Sequence, residues 1–491
     1  MASSSGEAGK VSSSAEAGPL DIDELLGADH GRLDNGLHYY VKTNSTPEMT
    51  EYLCLVVKIG SIVEDEDEYG VAHVIEHLAY GETSKYKNVF EFLRTSGVES
   101  GVIHARTSHD STIYPLPDVS LKNPEVLCNA ISVLAEISTE IQVSAEGLDK
   151  ERGIILDEHR TTWDLDGRMS DAFWTAVMDG SKYTHVSIGS EKVLRNLSPK
   201  TVKEFYGKWY QLCNMAVVAV GDFSDTKNVV DLIRIHFGSK VSPPGPHPIP
   251  EYPLPFHNVP HFSCLVEPES DEPAVMIAFK MLVDEYKTLK GFRDMLVHLM
   301  FLSALKRRFD VIFHARCHLV WEDSVHPMDI CKIVLSEQME PIETVESILL
   351  EIARIRLHGF TEWEVSDVRA SLMSAFETAY SKRKGMDSKS LCNQYIEYFL
   401  HNEPVFGIEV ETQLKRRILP EITAAEVSKF AENYRTSCNC VIVTIEPRSH
   451  VTIEDLSSSV LKINSLEKEG SISNLEHNIT KEIVSRPPDL G

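Results

Sequence analysis

The sequence predicts an α+β protein made of two copies of one domain. Three observations predict it. Strand-like apolar runs alternate with segments of helical periodicity along the chain. A proline-rich stretch divides it: seven prolines fall between residues 243 and 255, which reads as a semi-rigid linker. The far side of this linker repeats the near side. Val202, Phe205, Cys213 and Asn214 recur 225 residues later as Val427, Phe430, Cys438 and Asn439. Trp209 then falls opposite Tyr434, and the run Met215 to Val220 opposite Cys440 to Ile445. Four identities in one register, followed in both copies by a strand, indicate duplication.

In chain order, Leu33-Asp34-Asn35-Gly36-Leu37 is a hairpin signal, with Asn-Gly between strand-like segments. Residues 52–59 read as a buried strand and about 69–80 as a helix. Over 124–141, Pro124 stands near a helix start, and Leu127, Ile131, Leu134 and Ile141 make one stripe. A further helix covers about 144–160, and 215–220 is a strand closed by Gly221-Asp222. The expected organisation is a disordered N-terminal arm over 1–30, a first domain over 31–241 and the linker over 242–256. A second domain over 257–448 and a Ser- and Glu-rich flexible tail over 449–491 follow.

The totals exclude some functions. A net charge of −26 over 491 residues argues against nucleic acid as a partner, because phosphate binding needs clustered Lys and Arg. The same charge disfavours an anionic membrane surface, and no apolar run reaches the roughly 18 residues of a membrane span. The nine cysteines show no zinc-finger spacing, which suits reduced thiols. The N-terminal arm lacks the apolar core of a signal peptide and is too acidic for a transit peptide. The expected location is the cytoplasm, with chloroplast or mitochondrion as the alternative.

The chemistry is carried by residues 73–77, His-Val-Ile-Glu-His. On a helix His73 and His77 share one face and can share one metal ion, with Glu76 on the same side. This is the inverted H-x-x-E-H order of some zinc hydrolases. The helix is otherwise apolar almost all round (Val71, Ala72, Val74, Ile75, Leu78, Ala79), so its polar groups are expected to be buried and paired or coordinated. The competing reading is a hydrogen-bonded core cluster without metal. Two His are too few for zinc, so a third ligand is required. Glu151 and Glu158 lie seven residues apart, two helical turns, hence on one face. One can reach the metal while the other orients a ligand. Spacing alone does not choose between them, and such a pair is also common on a solvated face. The expectation is one zinc ion per chain.

His73-x-x-Glu76-His77, the opening Leu33-x-Asn35-Gly36-Leu37, and Glu151-Arg152 followed by Glu158 resemble the pitrilysin (insulinase) peptidase family, and within it the plant PqqL-like zinc proteases. Thr107 to Tyr114, Tyr183 to Gly189 and Gly221-Asp222 extend the resemblance over about residues 30–448. It implies Glu158 as the third zinc ligand, Glu76 as the general base and Glu151 as a group that orients a ligand. It also implies the family's fold: two homologous α/β domains, each a sheet flanked by helices, forming one half of a clamshell. The activity implied is that of a zinc-dependent endopeptidase acting on peptides or unfolded polypeptide segments. Where the family carries Asn-Ala-x-Thr, this chain has His104-Ala105-Arg106-Thr107, which puts His104 and Thr107 at the substrate-positioning place. The second repeat has no paired motif near Val297-His298-Leu299 and no counterpart of Glu158 around Ala375. The family's second half-shell is not found here, so the expected partner is a second copy or a related subunit. The rival reading is a binding or scaffold subunit, derived from a peptidase but weak or inactive.

Overall fold

The computed structural model describes residues 26–98, 104–242, 247–282, 287–336 and 340–475. The first half runs β1 (Asp29–Arg32), β2 (His38–Thr43), β3 (Thr50–Val57), α1 (Val71–Leu78), α2 (Val89–Thr95), β4 (Arg106–Thr107) and β5 (Thr112–Ser120). It continues with α3 (Pro124–Thr139), α4 (Ala145–Thr162), α5 (Leu165–Val177), α6 (Glu191–Asn196), α7 (Pro199–Trp209), β6 (Met215–Gly221) and α8 (Thr226–Phe237). The second half runs β7 (His261–Val266), β8 (Ala274–Leu282), α9 (Leu289–Ile312), β9 (Cys317–Val325), β10 (Met328–Ser336) and α10 (Pro341–His358). Then come α11 (Glu362–Ser381), α12 (Ser388–His401), α13 (Gly407–Ile418), α14 (Ala424–Lys429), β11 (Cys440–Glu446) and α15 (Ile453–Glu469).

The duplication is written in the topology. The first sheet has the order β1-β2-β6-β3-β5-β4 and the second β7-β11-β8-β10-β9. Without β1 the two are the same sheet: β2 and β7 each run parallel to the strand beside them, and the other neighbours are antiparallel. The register repeats too, since His38 pairs with Ala216 and His261 with Val441. The fold is α+β, two sheets flanked by helices. Strand β6 is buried along its whole length because both faces of its sheet are covered, which is why it reads as an unbroken apolar run.

What covers the outer faces joins the halves. Helix α12 belongs to the second half but lays Cys392, Tyr395, Ile396 and Leu400 on Tyr40, Cys54, Val56, Ala216 and Val218 of the first sheet. Helix α5, its counterpart in the element order, brings Phe173 and Val177 into the core that holds Met276, Val441 and Val443 of the second sheet. Each half lends the same helix to the other. The linker is part of the packing: Ile249, Tyr252 and Leu254 lie against the core, and buried Lys280 of β8 donates to the carbonyls of Pro255 and Val177.

Several expectations need correction. Helix α3 opens at Pro124 under the Asn123 cap, as its stripe predicts, but ends at Thr139; Ile141 forms a bridge to Thr83 instead. The N-terminal arm over 1–25 lies outside the described residues, but Leu26 is buried and its carbonyl accepts from the Tyr395 hydroxyl at 2.8 Å, so 26–30 belong to the fold. The expected flexible tail contains α15, which starts on the Thr452–Asp455 capping box and buries Leu456, Val460 and Ile463. That i, i+4, i+7 stripe packs the helix on the second core. Residues 476–491 lie outside the described residues. No helix among the described residues is long and apolar enough to cross a membrane.

Candidate active site

Helix α1 is short and mostly buried. Its first turn is preceded by Gly70 at φ 105°, a conformation that glycine adopts without strain. A Cβ on neighbouring Gly189 would stand 2.3 Å from the Gly70 Cα. Buried Glu64 accepts from the amides of Gly70 and Ala72 at 2.9 and 2.8 Å, satisfying donors that a helix N-terminus leaves unpaired. Burial pushes the Glu64 pKa up to about 8, and the two amides pull against it.

This fixes where His73, Glu76 and His77 point. The first two are almost fully buried and the third partly so. Helix α4 packs across α1 and delivers Glu151 and Glu158 from one face, two turns apart. The Glu158 Oε2 lies 3.4 Å from Nε2 of His77 and 3.7 Å from Nε2 of His73. On the other side of the His77 ring, the Glu151 Oε2 lies 3.4 Å from Nδ1. Donor atoms of His73, His77 and Glu158 fall within 4.8 Å of one another, the one such metal-capable group among the described residues.

The electrostatics follow from burial. Desolvation, helped by His77 and opposed by Glu158, brings the His73 pKa down to about 4. Burial also disfavours a charged His77, but Glu151 and Glu158 overcome it and hold its pKa up at about 9. Glu76 is raised to about 6 by burial, against the Thr107 hydroxyl and His77, which favour its anion. The Thr107 hydroxyl donates to the Glu76 Oε2.

These side chains line an open cleft of about 490 Å³ together with Tyr80, Phe90, His104, Lys150 and Ile154. His104 is exposed on its wall. Thr107, expected beside a substrate, is turned instead toward Glu76. Sequence reasoning missed Lys150, whose amine lies 3.1 Å from Glu151, and the half-exposed Phe90 and Ile154. Lys150 adjoins a residue already singled out, yet adjacency in sequence does not say that two side chains turn to one cleft.

The second copy has lost this chemistry. Pro124 and Pro341 both open their helices, 217 residues apart, and the same step carries Glu151 onto Val368 and Glu158 onto Ala375. His298 of α9 is stacked on Phe430 at 4.2 Å, and burial alone lowers its pKa to about 3. It is a half-buried histidine packed between aromatic rings, Trp321 and Phe430.

Known proteins carry the same division. Residues 39–180 match the family model described as insulinase (peptidase family M16), and residues 196–372 match the peptidase M16 inactive domain. The chain belongs to peptidase family M16. This M16 chain is 48% identical over 473 residues to the zinc protease PQQL-like of Arabidopsis thaliana, covering 95% of its own length and 47% of the relative's. It is 25% identical to the probable zinc protease PqqL of Escherichia coli strain K12, covering 85% and 45%. In fold it is similar to the first half of the periplasmic protease PqqL from Escherichia coli, with a TM-score of 0.82 at 21% identity, covering 94% of this chain and 99% of that one. The M16 chain spans about half the length of the curated relatives it matches.

Proposed function

We propose that this chain is the catalytic half of a zinc-dependent endopeptidase that hydrolyses peptides or unfolded polypeptide segments. The observation that carries the reading is the convergence of His73, His77 and Glu158 from two helices, with Glu76 beside them in one cleft. Zinc at about 2.0–2.1 Å from tetrahedral ligands sets donor atoms roughly 3.3–3.4 Å apart. The 3.4 and 3.7 Å separations from Glu158 to the two imidazoles fit that requirement, as does a donor set of two imidazoles and one carboxylate. One zinc ion per chain would be held by these three residues. Bound there, it would supply Lewis acidity, polarising a carbonyl and making water more acidic.

The chain's own residues do the rest. Glu76, raised toward neutrality, accepts a proton from the attacking water and passes it to the leaving amine, a transfer that works best when the base titrates near the working pH. Glu151 holds the His77 ring in its orientation from the far nitrogen. His104 stands on the wall where an extended peptide would pass. The cleft is open on its outer side, where positioning of a substrate and exclusion of solvent are weak. The enclosing half-shell is therefore supplied by a second copy or a related subunit. The nine free cysteines suit a reducing compartment such as the cytoplasm, with chloroplast or mitochondrion as the alternative.

The test is metal analysis of the purified full chain together with a quenched-peptide assay, for the wild type and for Glu76→Gln. About one zinc per chain is expected in both, with hydrolysis in the wild type only. Equal hydrolysis by the two would remove Glu76 from its role. A zinc-loaded wild type that cleaves nothing, alone or with added cell extract, would favour a scaffold subunit.

A further inference from the structure

We infer that Thr107 is a positioning residue for Glu76, fixing one carboxylate oxygen so that the other faces the cleft. This rests on the reading of Glu76 as the base. Among the described residues the Thr107 hydroxyl is the hydrogen-bond partner of that carboxylate, and it binds Oε2. The terminal torsion of a glutamate is broad and roughly two-fold, so a buried carboxylate without a donor has no preferred plane. Thr107 supplies the missing constraint. Threonine is stiff at χ1, and this one is held by the pairing of β4 with β5, where Thr107 stands opposite Thr112.

The hydroxyl has one proton to give, and its surroundings direct that proton to Glu76. The Thr112 hydroxyl, 3.5 Å from that of Thr107, spends its own proton on the Ile59 carbonyl at 2.9 Å. The charged acceptor is the stronger one. The chain just beyond the strand is anchored as well. Amides of Ser61 and Ile62 donate to the carbonyls of Ser108 and His109 at 3.0 and 2.9 Å, and Gly60 leaves room for this approach, since a Cβ there would stand 2.1 Å from the Ser108 oxygen. Edge strand and hydroxyl thus reach Glu76 across 31 residues of sequence.

The experiment compares Thr107→Val, Thr107→Ala and Thr107→Ser with Thr112→Val, using the full chain in whatever assembly cleaves peptide. Loss of the hydroxyl in the Val and Ala variants is expected to lower kcat on the order of 100-fold, with KM and zinc content little changed. Thr107→Ser should stay within a few-fold of wild type. Thr112→Val should lose stability, because its hydroxyl holds the Ile59 carbonyl. Crystal structures of the zinc-loaded and metal-free Thr107→Val protein should show the Glu76 carboxylate rotated from its wild-type plane. Wild-type kcat in Thr107→Val, or an unmoved carboxylate in those crystals, overturns the inference. Should Glu76→Gln prove as active as wild type, the reading of the base fails, and the crystals still decide whether Thr107 holds that side chain.

Discussion

The Glu151 carboxylate stands 3.4 Å from Nδ1 of His77, on the opposite side of the ring from Glu158. A carboxylate behind an imidazole fixes its tautomer and raises its basicity. Glu151→Gln is therefore expected to weaken zinc binding by roughly 10–100-fold, and Glu158→Gln by far more. Competition with a chromophoric chelator measures both, and the opposite ranking would exchange their roles.

His77→Ala is expected to lose the metal and part of the fold's stability together. Buried Glu151 would keep Lys150 but lose the imidazole it faces, and loss of a buried hydrogen-bonding partner costs about 1–3 kcal/mol. Zinc content and a urea midpoint on the same sample check this. Full metal occupancy in the variant would refute the ligand assignment.

Ile396 is buried on α12 against the first sheet. Ile396→Ala is expected to destabilise the chain by roughly 2–5 kcal/mol. Because α12 and α5 are exchanged between the halves, both should unfold in one transition at a lower temperature. Calorimetry that resolved an unchanged first-half transition would contradict the exchange.

Glu51 gives a pH dependence. Neither of its carboxylate oxygens has a partner among the described residues, and burial pushes its pKa up to about 8. The folded pKa lies above the unfolded one, so the folded chain holds the proton more tightly. Its contribution to stability is complete below about pH 4.5 and is lost as the pH climbs to about 8. Glu51→Gln should remove that slope and make the protein more stable than wild type above about pH 8, by roughly 3–5 kcal/mol. Urea midpoints across this range decide it: parallel slopes in the two proteins would clear Glu51.

The half-shell reading predicts that specific activity falls on dilution as an assembly dissociates. Sedimentation and peptidase assays over one dilution series test it. A strict monomer cleaving at full rate at every concentration would show that no second half is needed.

The repeat from Val202 to Asn214 and from Val427 to Asn439 was legible because a duplicated core keeps its apolar residues in register. Taken further, it would have given α15. A helix, α8, follows β6, so one should follow β11, and the Ser-rich composition of 453–469 hid a stripe of Leu456, Val460 and Ile463. The exchange of α5 and α12 had no sequence signal, since an apolar stripe says that a helix is buried and not on which sheet.

For the site, the sequence by itself determined that His73, Glu76 and His77 share a buried helix and that Glu151 and Glu158 share a face. Those statements rest on the 3.6-residue period, which is local. Tertiary structure decided the rest: Glu158 meets both Nε2 atoms while Glu151 meets Nδ1, and Thr107 arrives from an edge strand to hydrogen-bond Glu76. Such relations depend on how α4 crosses α1 and how β4 pairs with β5. Distances of a few ångströms between elements far apart in the chain are set by the packing of the whole core, and no periodicity along the sequence records them.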